Sequence, residues 1–301
     1  MRGSSAAGVP PATGAIRARE PAMTWTGLAG VMLVGLGALG AAAALVVHRN
    51  RRRYDRAVAA DMRALLAVGP RGGAGAAGAA VPAVVARYRA VAVGAHAPAQ
   101  TMRMTHGGTF RMTPTGRPRP IRGAQVFSTA APGYLWTGRV AVAPGVWIDA
   151  RDRFAGDSGC MHVLLDDTVT LAHAEGPEID QGSALRLLAE LPWIPTALFD
   201  ARLVTWSEVD DGDANRARAT LHAGKTCVSA DFTFGPDGLP TSVTAERYND
   251  HGELRRWGGV YRDWRLVDGM RVPFEVEVTW QLATPFTYAH WRLDSLVYDA
   301  A

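Results

Sequence analysis

Lysine and cysteine are both scarce in this chain of 301 residues. Lys225 is the single lysine among 32 basic side chains, and the other 31 are arginines, a bias that reflects the base composition of the gene. The two cysteines, Cys160 and Cys227, allow at most one internal disulfide, and neither lies in a C-x-x-C spacing. We therefore expect two separately buried thiols and no metal site.

The chain also lacks the short motifs of common catalytic sites. No G-x-S-x-G, H-E-x-x-H or phosphate-binding loop occurs. The run from Gly156 to Gly159 matches the nucleophile loop of trypsin-like proteases, but no matching histidine segment lies upstream, so a hairpin turn is expected. The eight histidines are scattered. The sequence thus predicts no catalytic residue and no cofactor.

Basic charge is concentrated near the N-terminus. Residues 1–56 hold eight arginines against Glu20 and Asp55, whereas the rest of the chain carries 24 basic and 26 acidic side chains. Nucleic-acid binding requires a basic face on the folded domain. This balance argues against a nucleic-acid partner.

One apolar run dominates the N-terminal region. Residues 1–22 are rich in Gly, Ser, Ala and Pro and are predicted to be disordered, and residues 23–48 are predicted to form a transmembrane helix, with no charge between Trp25 and Val47. The arginines from Arg49 to Arg53 favour a cytoplasmic location for the flank that follows. A cleaved signal peptide, with small residues near Ala42, is the alternative. The expected protein is a single-pass protein of the cell membrane with a cytoplasmic C-terminal body.

Strand patterns fill the body. Residues 49–81 are predicted to form a juxtamembrane helix and a Gly/Ala-rich linker, and residues 82–301 the folded domain. Alternation with a period of two begins at Thr101, and dipeptides such as Asp237-Gly238 separate short segments, which predicts an antiparallel sheet. The predicted strands are 101–112, 124–130, 133–142, 145–154, 160–165, 168–173, 202–209, 215–222, 225–234, 240–249, 256–266, 272–282 and 286–298.

One helix, predicted at residues 180–200, interrupts the strands. Ala184, Leu187, Leu188 and Leu191 form an apolar stripe along it. A sheet with one apolar face needs a cover, and this helix supplies it. The expected fold class is α+β, mainly antiparallel β, with a strongly curved half-barrel sheet packed around a central helix.

Three phrases identify a resemblance. They are MxHxGxFR at residues 104–111, LLAExxWxPxAL at residues 187–198 and PxxVxVxW at residues 273–280. Together they resemble an uncharacterised bacterial family, a domain of unknown function often carried behind one membrane helix, over residues 82–298. The resemblance implies a fold similar to the lipoprotein-carrier half-barrels, a group whose members bind acyl chains. It implies no reaction.

The candidate site lies where helix and sheet meet. Glu190 is expected to form an ion pair with Arg186, Arg247 or Arg111. The alternatives are an anchor for a ligand head group and an acid–base role. His106 is expected to be a hydrogen-bonded core histidine, and the tryptophans either fill the core or line an apolar pocket. The predicted ligand-binding residues are Glu190, Trp193, Trp136, Arg111, His106, Arg247, Trp257 and Trp280.

Three functions follow from these patterns. The first is a membrane-anchored, non-enzymatic module that binds a lipid or another apolar ligand between sheet and helix, with the lipid bilayer as a further partner. The second is a structural or interaction protein with a solid core that docks a membrane partner. The third, a hydrolase using Glu190 or Asp152, has the least support. The oligomeric state stays open.

Overall fold

The computed structural model describes residues 25–67, 80–93, 98–210 and 212–299. The chain divides into two compact units, residues 1–46 and residues 47–301. Helix α1 (Trp25–Leu66) begins in the first unit, and its apolar part meets the length and composition required of a membrane span, a test that a signal sequence also passes. The expectation of disorder at 1–22 lies outside the described residues.

Thirteen antiparallel strands form one curled sheet, as the sequence predicts. They are β1 (Thr101–Phe110), β2 (Arg119–Ser128), β3 (Gly133–Ala143), β4 (Val146–Ala155), β5 (Ser158–Leu165), β6 (Val169–Glu175), β7 (Val204–Glu208), β8 (Arg216–Ala223), β9 (Thr226–Phe234), β10 (Pro240–Tyr248), β11 (Leu254–Val267), β12 (Met270–Trp280) and β13 (Phe286–Tyr298). The strand order is 6-5-4-3-2-1-13-12-11-10-9-8-7. Each strand therefore pairs with its neighbour in the chain, except where β1 pairs with β13 and where β6 and β7 form the two edges.

The helical segment lies inside the curl. Helix α3 (Pro177–Glu190) contacts β5 near one edge of the sheet and β10 towards the other, where Gly182 packs against the Arg247 side chain. The predicted helix 180–200 is continuous only to Glu190. Pro192 and Pro195 cannot donate helical hydrogen bonds, so the chain continues as two 3-10 turns, Leu191–Trp193 and Pro195–Phe199.

The space between this segment and the sheet contains the main core. Leu185, Leu187, Leu188, Ile194 and Leu198 are each at most 1% exposed. Helix α2 (Ala83–Ala92) adds a fully buried Tyr88, whose ring packs against Phe199 and Phe234. The apolar stripe predicted for the helix is thus the surface that the sheet encloses.

The second half of α1 packs against the opposite face of the sheet. Leu65 forms a small buried cluster with Val126 of β2 and Leu135 of β3. These two residues alternate along their strands with the inward-facing Gln125 and Trp136, which places them on the outer face. The juxtamembrane helix is therefore part of the folded body and covers β2–β4 from outside.

The two thiols are separate, but only one is buried. Cys160 is 4% exposed, whereas Cys227 is exposed and the prediction of a second buried thiol was wrong. Residues of β9 alternate between faces, and the buried positions are those of Val228, Ala230, Phe232 and Phe234. Cys227 falls on the other set, which faces solvent.

Candidate functional site

A charged cluster joins α3 to the inner face of β2–β4, with Arg186 at its centre. Its guanidinium lies 2.7 Å from Asp152 of β4 and 2.8 Å from Glu190 one helical turn later, and it donates a 3.2 Å hydrogen bond to Gln125 of β2. Asp152 is 1% exposed and the side chains of Arg186 and Glu190 are 14% and 12% exposed. Of the three partners predicted for Glu190, the structure selects Arg186.

The acids of this cluster have no free oxygen. Glu190 accepts from Arg186 at one oxygen and from the Gln125 amide, at 2.6 Å, at the other. Asp152 accepts from Arg186 and from the Tyr134 hydroxyl at 3.0 Å. Burial raises the pKa of Glu190, and Arg186 and Gln125 oppose that rise by favouring the ionised form. This arrangement locks the helix to the sheet.

His106 lies beside this cluster as a neutral core histidine. Its Nε2 accepts a 2.8 Å hydrogen bond from the Trp136 indole, and it is 2% exposed. Burial lowers the pKa of His106 to about 4. Gly123 provides the room, because a Cβ there would overlap the imidazole ring. The prediction of a hydrogen-bonded core histidine is confirmed.

Trp193 also contacts the sheet directly. Its indole nitrogen donates a 2.8 Å hydrogen bond to the carbonyl of Pro273, and its own carbonyl accepts a 2.6 Å bond from the Tyr298 hydroxyl. Tyr261 adds a 2.5 Å bond to the Ala189 carbonyl. These bonds satisfy main-chain groups at the end of the helix that would otherwise be buried without partners.

The remaining predicted site residues lie elsewhere. The guanidinium of Arg247 lies 4.9 Å from the centre of the Trp257 ring and 5.9 Å from that of Trp280. Arg111 donates to carbonyls of the β1–β2 turn and lies 5.8 Å from the Phe286 ring. Glu190, Trp136 and His106 lie close together. The rings of Trp291, Phe110 and Tyr288 connect them to Trp257 and to the Phe286 ring beside Arg111.

A groove lies on the outer face of the sheet. It has a volume of about 260 Å³ and lies between the juxtamembrane helix and strands β2–β4. Its lining residues are Tyr54, Arg122, Gly123, Ala124, Thr137, Gly138, Arg139 and Asp149. Tyr54 holds the helix at this position by donating a 3.3 Å hydrogen bond to the carbonyl of Ala150.

The groove carries both signs of charge. Arg139 is fully engaged, at 2.5 Å from one oxygen of Asp149 and 3.0 Å from Asp167, which also lies 3.6 Å from Arg51 of α1. The other oxygen of Asp149 is buried and has no hydrogen-bond partner among the described residues. Burial and the nearby Asp149 raise the pKa of Asp167. Arg122 is exposed, and within the described ranges it forms no ion pair.

Neither this groove nor the contacts of Arg186 with Gln125 and Asp152 were predicted from the sequence, which indicated only Glu190 as a partner of Arg186. Gln125 and Asp152 had a detectable signal, because each is a polar residue at an inward-facing position of an apolar strand. Arg122 and Asp149 had none. They occupy outward positions where charged residues are common, and only the strand register brings them next to Tyr54.

Two solved structures are similar to the chain at low sequence identity. A DUF1329 family protein from Desulfovibrio piger is 11% identical, with a TM-score of 0.42, over 74% of this chain and 95% of that one. A LolA superfamily protein from Nitrosomonas europaea is 10% identical, with a TM-score of 0.40, over 74% of this chain and 96% of that one.

A family model matches most of the chain. No curated protein matches the chain. The model of DUF6544, a family of unknown function, matches residues 75–291, which include every strand from β1 to β12 and part of β13. The chain therefore belongs to the DUF6544 family of unknown function.

Proposed function

We propose that this protein is a membrane-anchored, non-enzymatic module that binds the head group of a membrane phospholipid in the outer groove. The observation that carries this proposal is the pairing, in one groove, of an arginine without an ion pair and a buried carboxylate oxygen without a hydrogen-bond partner. A head group with a phosphate and a primary ammonium, as in phosphatidylethanolamine, complements both. The phosphate pairs with Arg122 and the ammonium donates to Asp149.

The short stretch of chain between the apolar run and the residues beside the groove supports a lipid ligand. The apolar run ends at Val47, and Arg51, four residues later, already contacts Asp167 beside the groove. Four residues of chain span at most about 14 Å. Tyr54, which lines the groove, follows the apolar run by seven residues of the same helix.

Exposed apolar side chains occur at one end of the strands. The turns after β1, β3 and β5 all lie at this end, because consecutive strands are antiparallel. Met112, Trp147 and Val169 are 46%, 38% and 53% exposed beside those turns. Indole and aliphatic groups of this kind favour the interface between water and the bilayer.

The size of the groove limits what it holds. Pockets that enclose drug-sized ligands have volumes of roughly 300–1,000 Å³. A volume of about 260 Å³ suits a polar head group whose acyl chains remain in the bilayer. Lipid contact is therefore proposed on the outer face of the sheet. The sequence predicted this contact between the sheet and the helix.

Native mass spectrometry of the full chain, released from detergent micelles, tests the proposal. The wild-type protein is expected to retain phosphatidylethanolamine in preference to phosphatidylglycerol, which lacks the ammonium. Arg122→Gln is expected to weaken that retention about tenfold or more, because a hydrogen bond to a charged group contributes roughly 1.5–3 kcal/mol.

Arg271→Gln, at another exposed arginine on β12, is the matched control and should retain lipid as the wild type does. Equal retention by the wild type and Arg122→Gln would refute the head-group site. Equal retention of the two lipids would refute the role of Asp149.

The terminal strand β6 favours a second function, docking of a membrane partner. Among the described residues, one side of β6 has no neighbouring strand in the sheet, and Val169 and Leu171 of β6 are 53% and 50% exposed. Such an edge accepts an added strand. Crosslinking in membranes that yields a protein adduct at β6, abolished by Leu171→Lys while lipid retention persists, would favour this function over lipid binding.

A further inference from the structure

Four side chains of metal-binding types meet on the hairpin of β5 and β6. Cys160 lies opposite Glu175, and His162 lies opposite His173. Because residues two apart on a strand point to the same face, all four share one face of the hairpin. This is the outer face, since Cys160 and His162 are also in register with Arg153 and Arg151 of β4.

Three of these side chains already converge. The Sγ of Cys160, a ring nitrogen of His173 and a carboxylate oxygen of Glu175 all lie within 4.8 Å of one another. His173 Nε2 is 3.6 Å from Glu175 Oε1. Two ligands at about 2.0–2.1 Å from a tetrahedral zinc ion lie roughly 3.3 Å apart, so small side-chain rotations close the remaining distance.

The chemical types of these three ligands favour zinc over other metals. A thiolate and an imidazole disfavour magnesium and calcium, which prefer oxygen ligands, and a carboxylate completes a set typical of zinc. Arg151 and Arg153 bring positive charge to this face. Both also face Asp61 of α1, at 3.4 Å and 3.9 Å, and this acid offsets part of that charge.

We propose that Cys160, His173 and Glu175 bind one zinc ion on the outer face of the β5–β6 hairpin. The fourth coordination position belongs to solvent, because His162 Nε2 is engaged with the Thr170 hydroxyl at 3.1 Å and its ring only packs edge-on against His173, with centroids 5.4 Å apart. The metal crosslinks the terminal strand β6 to β5. It does not depend on the proposed lipid function.

Sequence spacing does not reveal this site. Twelve residues lie between Cys160 and His173, and the hairpin register alone brings them together. The two cysteines never approach a C-x-x-C pattern, and the ligand set uses only one of them. A cross-strand site of mixed ligands has no short motif.

Cobalt(II) titration of the full-length protein in detergent tests the proposal. Thiolate-ligated, tetrahedral Co²⁺ gives a sulfur-to-metal charge-transfer band, together with intense visible bands, and Zn²⁺ should remove both at one equivalent. Cys160→Ser should abolish the charge-transfer band. His173→Ala, at an exposed position that leaves the core intact, should weaken Co²⁺ binding at least tenfold.

Cys227→Ser is the matched control, because Cys227 is the other free thiol. It should keep the full spectrum. Far-ultraviolet circular dichroism of each variant establishes that it has folded. A folded wild-type protein without a charge-transfer band, or a band lost in Cys227→Ser and kept in Cys160→Ser, would overturn the proposal.

Discussion

The guanidinium of Arg186 on α3 lies 2.7 Å from the carboxylate of Asp152 on β4, and Asp152 is 1% exposed. This ion pair crosses the boundary between the central helix and the sheet that surrounds it. Asp152 is buried, and Arg186 and the Tyr134 hydroxyl donate hydrogen bonds to its two oxygens. The pair thereby determines how the helix is oriented within the curl.

Removal of Arg186 should be strongly destabilising. Arg186→Met leaves Asp152 and Glu190 buried without a cation, and loss of one partner from a buried pair costs about 3–5 kcal/mol. Urea denaturation of the full chain in detergent measures the free energy of unfolding. Arg218→Met is the control: Arg218 pairs with Asp231 at 2.7 Å on the surface, so its loss should cost at most about 1 kcal/mol. Similar decreases in the free energy of unfolding for both variants would contradict a buried ion-pair cluster that holds the helix to the sheet.

Trp193→Phe should also destabilise the protein. The variant keeps an aromatic ring and loses the hydrogen bond to the Pro273 carbonyl, which remains buried, so about 1–3 kcal/mol is expected. Trp147→Phe, at a 38% exposed position, serves as the comparison and should change the free energy of unfolding by less than about 0.5 kcal/mol. No difference between the two variants would contradict the described anchoring of the 3-10 turn.

His106 should make stability depend on pH. Its pKa is about 4 in the folded protein, below the ordinary value of 6.5, so above pH 6.5 the histidine is neutral in both states and its contribution is complete. As the pH falls from 6.5 towards 4, only the unfolded chain takes up the proton, and stability is lost at up to about 1.4 kcal/mol per pH unit.

The comparison of wild type with His106→Gln isolates this effect. The difference in their free energies of unfolding should shrink by about 2 kcal/mol between pH 7 and pH 4.5. His251→Gln, in an exposed turn, should show the same pH dependence as the wild type. A difference between wild type and His106→Gln that stays constant over this range would argue against a neutral, buried imidazole.

Cys227 allows the membrane topology to be measured without engineering. It is exposed while Cys160 is buried, so a maleimide should label Cys227 first. If the body is cytoplasmic, as the arginines after Val47 predict, a membrane-impermeant maleimide should label intact cells only after permeabilisation. Cys227→Ser should remove the signal. Labelling of intact cells would place the body outside.

Much of the fold was predictable because its signals are local. Alternating residues and turn dipeptides such as Asp237-Gly238 are contiguous in the chain, and each of the thirteen strands overlaps a predicted segment. The start of β2 was predicted five residues too late, at 124 and not at Arg119. The end of α3 was missed because Leu191 continues the apolar stripe. The effect of Pro192 on the hydrogen-bond ladder outweighs that pattern.

The site was less predictable because its geometry depends on register. Tyr54 and Asp149 are 95 positions apart, and they meet only because α1 packs on the outer face of β4. Glu190 was recognised as a paired acid, since Arg186 lies four residues earlier on the same helix. Asp152, the more deeply buried partner of Arg186, comes from a strand 34 residues away.

A site-specific photocrosslink in the outer groove tests the central claim most directly. Ala124 lines the groove and is exposed, so a benzophenone amino acid at this position faces the proposed head group. The matched control is Leu266 on β11, which is 65% exposed and lies outside the groove. Irradiation in membranes, followed by mass spectrometry of the intact protein, should give a phosphatidylethanolamine adduct at residue 124, reduced by Arg122→Gln, and none at residue 266. Equal lipid adducts at both positions, or none at residue 124, would contradict a lipid site in this groove.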